Sequence, residues 1–219
     1  MTRQADYLEQ LTPDNAAVLF IDNQTTLTLG VQSIDLTILK TNTEGLAKLA
    51  KMFALPVVLT TTGGGAGGPS GGLLKGITDT FPEIEPVNRM GNLNAMDDSR
   101  FAAAVAATGR RKIILSGITT DFCLVYPALS LIAAGYHVFI AVDASGSWTR
   151  EINDWALHRL IQAGATPTNV QSIFGELQNS AMNKDAEATK ATMPKVMEWL
   201  GAFTPAPSLI GENFAAQAH

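Results

Sequence analysis

The feature that most constrains the fold is a series of short apolar runs separated by longer segments with helical spacing. Ala16–Ile21 (AAVLFI) and Lys112–Gly117 (KIILSG) are the clearest runs, and their composition suits strands buried on both faces. In the segments between such runs, apolar residues recur every three or four positions, as on one face of a helix. This alternation is typical of βαβ units. We therefore predict one three-layer α/β/α domain with a mostly parallel, six-stranded, Rossmann-like sheet.

The same patterns predict the individual elements. Strands are expected at residues 16–21, 56–61, 86–88, 112–117, 137–142 and 169–173. Helices are expected at 36–53, 97–108 with Asp97 as cap and Gly109 as stop, 123–135, 151–162 and 186–200. Residues 1–203 would then form the domain and residues 204–219 an extended tail.

Composition restricts the partners of the chain. The 219 residues carry a net charge of −5 and contain no basic run, which excludes a protein that binds a phosphate backbone through clustered cations. The sequence has no stretch of eighteen apolar residues and no apolar signal segment near its start. With a single cysteine, we expect a cytoplasmic protein that acts on a small molecule and binds neither nucleic acid nor membrane.

Three residues with reactive or charged side chains follow predicted strands. Asp22 ends the first strand, Arg89 ends the third, and Cys123 follows the fourth across a tight turn. Because ligands of open parallel sheets bind at the carboxyl ends of the strands, we expect all three at one edge. Each has a simpler alternative: Asp22 as a cap, Arg89 as the ion-pair partner of Glu83 or Glu85, and Cys123 as a small buried apolar residue.

The position of Cys123 at a predicted helix start favours a nucleophile, since a helix N-terminus and nearby cations stabilise a thiolate. A cysteine nucleophile also needs a base within reach. The three histidines do not provide one, because His137 begins a strand at the opposite edge, His158 lies within a helix and His219 is the last residue. We therefore predict a carboxylate, Asp22, as the base.

No metal or cofactor is predicted. Asp97 and Asp98 stand at a helix start, where a capping role explains them, and no other residues show the spacing of a zinc or iron site. The segment 63–72 (GGGAGGPSGG) matches neither a P-loop nor a dinucleotide fingerprint. We predict that it is a mobile loop that closes over the substrate.

Three longer segments carry a family resemblance: AAVLFIDNQ, NRMGNLNAMDDSRF and KIILSGITTDFCLVYPALSLIAAGYHVFIAVDASGSW. They resemble the isochorismatase-like cysteine hydrolases, in particular the YcaC-like branch, and the resemblance covers residues 12–180. It implies an Asp–Lys–Cys triad, of which Asp22 and Cys123 occupy the first and last positions. Arg89 stands where the family has its lysine, and it can orient Asp22 but not act as a neutral amine. Lys75 is a less suitable substitute.

The resemblance also implies a cis peptide bond between Ile118 and Thr119, with the backbone N–H groups of Thr119 and Cys123 forming an oxyanion hole. It further implies a homo-oligomer. It argues against the metal-dependent nicotinamidases, because the segment after the second strand has glycines instead of histidines. Isochorismate is disfavoured as well, since true isochorismatases lack the cysteine.

Candidate pocket residues, chosen by position, are Asn23, Gln24, Asn94, Phe122 and Trp148. Trp148 could instead pack against a neighbouring subunit.

Together these observations predict a cysteine hydrolase that cleaves a C–N bond of a small amide through a thioester at Cys123. Three alternatives stay open at this point. The bond could be an ester or an N-carbamoyl group, the protein could be a catalytically impaired scaffold subunit, or Cys123 could be a redox-sensing thiol.

Overall fold

A computed structural model of the chain describes residues 9–204. Six strands in this range form one sheet in the order β3-β2-β1-β4-β5-β6, and every neighbouring pair is parallel. The strands are β1 Ala16–Ile21, β2 Val57–Thr61, β3 Val87–Asn88, β4 Lys112–Gly117, β5 His137–Ala141 and β6 Thr166–Thr168. The helices are α1 Thr25–Leu29, α2 Leu36–Met52, α3 Lys75–Thr80, α4 Ser99–Ala107, α5 Val125–Ala133, α6 Arg150–Ala163, α7 Val170–Lys184 and α8 Ala186–Phe203.

The two central strands explain why the sheet is buried on both faces. β1 and β4 pair in register from Ala16 opposite Lys112 to Ile21 opposite Gly117, and all twelve residues are buried. Successive side chains of a strand point to opposite faces, so Val18 and Leu19 belong to different apolar clusters. One cluster includes residues of α2, α7 and α8, and the other includes residues of α4, α5 and α6. The predicted α/β/α architecture is confirmed.

The strand order reverses at the centre of this sheet. From β1 the chain proceeds through β2 and β3 to one edge, then returns to β4 beside β1 and continues to the other edge. In doubly wound folds, the crevice for ligands opens at this reversal, outside the carboxyl ends of the strands. The residues that follow β1 and β4 therefore face the expected site.

The prediction of a strand at 169–173 was wrong. Those residues begin α7, and the strand beside β5 is the preceding segment Thr166–Thr168. Asn169 caps the helix by accepting a hydrogen bond from the Ser172 N–H at 2.8 Å. The apolar residues that suggested a strand instead recur at helical spacing and are buried: Val170, Ile173, Phe174 and Leu177.

Two helix starts also differ from the predictions. Asp98, and not Asp97, caps α4, because its carboxylate accepts a hydrogen bond from the Arg100 N–H at 2.9 Å. Cys123 lies at the start of a helical segment as predicted, but this segment begins earlier, at Thr120, with a π-helical turn, Thr120–Leu124, that continues directly into α5. The short helices α1 and α3 had no predicted counterpart. Residues 205–219 of the predicted tail lie outside the described residues, so the proposed division at residue 203 stays a prediction.

Candidate active site

Asp22 immediately follows β1 and is completely buried. Its backbone has a φ of 55°, in the left-handed region that aspartate and asparagine adopt more readily than most residues. The Asp22 N–H donates to the Thr60 carbonyl at 3.1 Å, which extends the pairing of β1 with β2 by one residue. The carboxylate is thus held at the end of the central strand by its own backbone.

The Arg89 guanidinium binds this carboxylate. Its Nη2 group donates to both oxygens of Asp22, at 2.5 Å for Oδ1, and Arg89 is only 1% exposed. Its Nε group donates to Thr60 Oγ1 at 2.9 Å, and its Nη1 group donates to the carbonyls of Asn92 and Leu93. Every N–H of the guanidinium therefore has an acceptor, and Arg89 fixes the orientation of Asp22. The alternative partner Glu83 pairs with Lys51 instead, at 2.6 Å.

The Cys123 thiol contacts the same carboxylate. The S–H group donates a hydrogen bond to Asp22, and the Thr119 N–H donates one to the sulfur. Burial raises the pKa of the thiol to about 12, and the negative charge of Asp22 and its hydrogen bond add to this effect, while Arg89 opposes it only weakly. The helix start and the Arg89 cation thus do not outweigh burial and the Asp22 charge, and the raised pKa keeps the proton on Cys123 until a base removes it.

Burial also raises the pKa of Asp22, and here the Arg89 guanidinium is the main opposing influence, followed by the hydrogen bond from Cys123. A carboxyl group with a raised pKa is a stronger base than an exposed aspartate. The arrangement combines a neutral thiol, a carboxylate able to take its proton and a guanidinium that balances the carboxylate charge.

The turn between β4 and the π turn supplies the surrounding backbone. The peptide bond between Ile118 and Thr119 is cis. The Thr119 carbonyl accepts hydrogen bonds from Phe122 N–H at 3.3 Å and Leu124 N–H at 3.1 Å, and Thr120 N–H donates to the Gly146 carbonyl at 3.0 Å. These bonds hold the Thr119 N–H beside the sulfur.

A cavity of about 300 Å³ opens beside Cys123. Two of the predicted pocket residues, Phe122 and Trp148, contribute to its wall. Its lining consists of Leu27, Thr62, Leu93, Ile118, Thr119, Asp121, Phe122, Cys123 and Trp148. The reactive group thus faces a small and mainly apolar space.

The other three predicted pocket residues lie near this cavity without lining it. Asn23 donates to Ser116 Oγ at 3.0 Å, and Asn94 donates to Ser130 Oγ at 2.9 Å. Gln24 donates to the Gly71 carbonyl at 2.6 Å and accepts from the Thr62 N–H at 2.8 Å. These bonds attach the two ends of the glycine-rich segment to the end of β1. Closure of that segment over a substrate stays a prediction.

Sequence reasoning did not identify four of the lining residues: Leu27, Thr62, Leu93 and Asp121. Asp121 could have been found, because it lies two residues before Cys123 in the same turn and its side chain is anionic. Leu27 could not, since it lies on α1, a five-residue helix that gives no periodic signal.

Three further observations concern the rest of the described chain. A larger cavity, of about 810 Å³, lies between α2, α3 and α8, but it contains none of the residues proposed for catalysis, and we place no chemistry there. Within residues 9–204, no group of three or more histidine, cysteine, aspartate and glutamate side chains could hold a metal ion. None of the helices described is long and apolar enough to span a bilayer.

Trp148 packs tightly against Gly30, which allows a test of the cavity wall. A Cβ at Gly30 would lie 2.5 Å from the Trp148 ring, although the local φ of −82° suits any residue. We expect Gly30→Ala to lower the free energy of unfolding by about 1–3 kcal/mol through overpacking. Chemical denaturation should show no such loss when Gly30→Ala is made in a Trp148→Ala background. An equal loss in both backgrounds would contradict this packing.

Comparison with known proteins identifies the family. The Isochorismatase domain family matches residues 16–172. "Probable hydrolase YcaC" of Escherichia coli is 40% identical over 156 residues, which are 71% of this chain and 74% of that protein. The YcaC gene product of E. coli, an octameric hydrolase of unknown specificity, has a TM-score of 0.86 at 32% identity and covers 95% of this chain and 97% of its own. YcaC from Pseudomonas aeruginosa, with hexane-2,5-diol and covalent acrylamide, has a TM-score of 0.85 at 34% identity, covering 95% of this chain and 98% of its own. The chain therefore belongs to the isochorismatase family and is a hydrolase of its YcaC-like branch.

Proposed function

We propose that this hydrolase cleaves the C–N bond of a small amide, with Cys123 as nucleophile, Asp22 as general acid and base, and Arg89 as the residue that positions Asp22. The observation that carries the proposal is the hydrogen-bonded series Arg89–Asp22–Cys123 beside a cavity of about 300 Å³. A buried carboxylate in contact with a neutral thiol has a direct use in such a reaction, because it can accept the thiol proton as the sulfur attacks.

In the first half of the reaction, Asp22 takes the proton of the Cys123 thiol and the sulfur forms a bond to the amide carbonyl carbon. The carbonyl electron pair moves onto oxygen, and the N–H groups of Thr119 and Cys123 are the proposed donors to that oxyanion. Asp22 then passes its proton to the amide nitrogen. The C–N bond breaks, the amine leaves, and a thioester remains on Cys123.

In the second half, Asp22 takes a proton from a water molecule whose oxygen attacks the thioester carbon. The C–S bond breaks as the tetrahedral intermediate collapses, and the proton on Asp22 returns to the sulfur. One amide and one water are consumed, one carboxylic acid and one amine are released, and the site regains its resting protonation. Arg89 keeps its proton throughout, as its full set of hydrogen bonds requires.

YcaC from P. aeruginosa carries covalent acrylamide, an electrophile that adds to thiols through its carbon–carbon double bond, and this supports a reactive nucleophile in the YcaC-like branch. The redox-sensor alternative would use the same thiol, because a base that activates Cys123 toward an amide also activates it toward peroxide. That alternative predicts reversible peroxide oxidation of Cys123 without amide turnover. An ester or an N-carbamoyl group would follow the same steps with a different leaving group. We prefer the amide because an amine leaves only after it is protonated. Asp22 can supply that proton, since it contacts Cys123 and takes the thiol proton in the preceding step.

Labelling followed by a substrate screen tests the proposal. Cys123 is the single cysteine of the sequence, so iodoacetamide or acrylamide modification can be assigned by intact mass and peptide mapping. We expect one label per chain and turnover of small amides that is lost in Cys123→Ser. If the protein hydrolysed esters or N-carbamoyl compounds but no amides, the proposed amide substrate would be wrong. An unreactive Cys123 in the folded protein, with no turnover of any of these classes, would favour a scaffold role.

We also propose that the chain assembles into a homo-oligomer, as the octameric E. coli relative does. Native mass spectrometry against the chain mass of 23.2 kDa would give the number of subunits. The cytoplasmic location stays a prediction from the sequence.

A further inference from the structure

The cavity beside Cys123 is lined mainly by apolar side chains and one acidic residue. Among residues 9–204, no lysine, arginine or histidine lines this cavity, and the one charged residue in its wall is Asp121. The larger apolar side chains of the lining include Leu27, Leu93, Phe122 and Trp148. A carboxylate bound here would lose its hydration without gaining a cation, which is costly in an apolar environment.

Arg89 does not fill this gap, although it lies behind the nucleophile. Each of its N–H groups already donates to Asp22, Thr60 or the carbonyls of Asn92 and Leu93, and the side chain is 1% exposed. Arg89 therefore neutralises Asp22 and has no donor left for a substrate carboxylate.

Asp121 has capacity to accept a hydrogen bond from a ligand. Ser147 Oγ donates to its Oδ1 at 2.7 Å, which fixes the carboxylate in the turn, while the other oxygen receives no hydrogen bond from the described residues. Ser147 is completely buried and is held through its own N–H, which donates to Ser33 Oγ at 2.9 Å. The anion at the cavity wall is thus fixed through Oδ1, and Asp121 is partly exposed, so Oδ2 is accessible to solvent or to a ligand.

We propose that Asp121 is a specificity-determining residue that makes the site select small carboxamides without an anionic group. A substrate would place its apolar body against the leucines and aromatic rings, and an N–H or ammonium group of the substrate would donate to Asp121. A carboxylate at the same position is repelled, since like charges in a partly buried site disfavour binding strongly. This inference rests on the proposed function for the role of Cys123, but not on the bond that is cleaved.

Two alkylating agents of nearly equal size provide the test. Iodoacetamide is neutral and iodoacetate is anionic, and both label Cys123 at the same atom. For the wild-type protein, we expect the rate ratio of iodoacetamide to iodoacetate to exceed that of free cysteine by tenfold or more. Asp121→Asn keeps an oxygen for Ser147 and removes the charge. It should increase the iodoacetate rate by about tenfold and change the iodoacetamide rate by less than about twofold.

Two variants control for other effects. Asp154→Asn removes the same charge from an exposed position of α6 and should leave both rates unchanged. Asp121→Glu keeps the charge and should keep the preference for the neutral reagent. The proposal is overturned if Asp121→Asn accelerates both reagents equally, or if its iodoacetate rate matches that of Asp154→Asn. A Cys123 that reacts with neither reagent in the wild type refutes the nucleophile, and hence the proposed function, whereas failure of the ratio alone refutes only the specificity.

Discussion

Asp22→Asn is expected to reduce amide turnover by about 10²–10⁴-fold and to slow the alkylation of Cys123 at neutral pH, because asparagine cannot accept the thiol proton. The change is nearly isosteric, and asparagine tolerates the left-handed backbone at this position. Stopped-flow or quenched alkylation with mass detection measures the rate independently of any substrate.

The direction of this effect separates two roles for Asp22. Its negative charge raises the pKa of Cys123, so a purely electrostatic role predicts that Asp22→Asn increases the thiolate population and accelerates alkylation. A base in direct contact with the thiol predicts the opposite. Slower labelling therefore supports proton transfer to Asp22, and faster labelling would contradict the mechanism.

The pH dependence of alkylation gives a second signature. In the wild type, the rate should be level where Asp22 is ionised and should fall as it becomes protonated, at a pH above the ordinary aspartate value of 3.8 because burial raises this pKa. In Asp22→Asn, the rate should instead rise about tenfold per pH unit toward the thiol pKa, as for an unassisted thiol. Asp143→Asn is the matched control. Asp143 also follows a parallel strand and burial raises the pKa of its carboxyl group, but this group accepts a hydrogen bond from the Val170 N–H in α7 and has no role in the proposed chemistry.

The central strands were predictable because burial on both faces leaves a visible signal. β1 is wholly apolar and β4 has an apolar centre at residues 113–115, and the observed limits of both strands coincide with the predicted ones. The edge strand β6 has three residues, TPT, none of them buried, so it carries no apolar pattern. The buried side chains that follow it are spaced for the helix α7 and were misread as a strand.

Sheet topology also made the position of the catalytic candidates predictable, but not the contacts between them. Parallel topology brings Asp22, Arg89 and Cys123 to one edge, and this convergence follows from strand order alone. The side chains between them depend on backbone detail that no periodicity reveals. The left-handed conformation of Asp22 and the π turn before α5 are such details. For this reason the thiol environment, and with it the sign of the pKa shift of Cys123, could not be predicted from a cysteine at a helix start.

The buried ion pair between Arg89 and Asp22 leads to the largest expected effect on stability. Arg89→Met leaves the Asp22 carboxylate buried without its cation, and we expect it to lower the free energy of unfolding at pH 7 by about 3–5 kcal/mol. Adding Asp22→Asn removes the remaining charge. The double variant should therefore recover most of the loss, because a buried ion pair contributes little beyond a neutral replacement of similar volume.

Acid should relieve the defect of Arg89→Met but not that of the double variant. Without its cation, Asp22 has a still higher pKa in the folded state than in the unfolded chain, where it is near 3.8. Between these two values the folded state binds more protons, so the stability of Arg89→Met rises as the pH falls through the folded pKa. Chemical denaturation across this range, at one fixed protein concentration because oligomers unfold in a concentration-dependent way, would show the recovery.

An exposed ion pair provides the reference for these measurements. Lys51 and Glu83 lie 2.6 Å apart with about half of each side chain exposed, so Lys51→Met should cost no more than about 1 kcal/mol and show no comparable dependence on acid. If Arg89→Met lowered the free energy of unfolding as little as Lys51→Met, the Arg89 guanidinium would not be the group that compensates the buried charge of Asp22. If the double variant were no more stable than Arg89→Met, the loss would come from the bonds to Thr60, Asn92 and Leu93. Recovery in the double variant, together with loss of activity, would mean that the pair is retained to keep a charged base beside the thiol, at a net cost to folding.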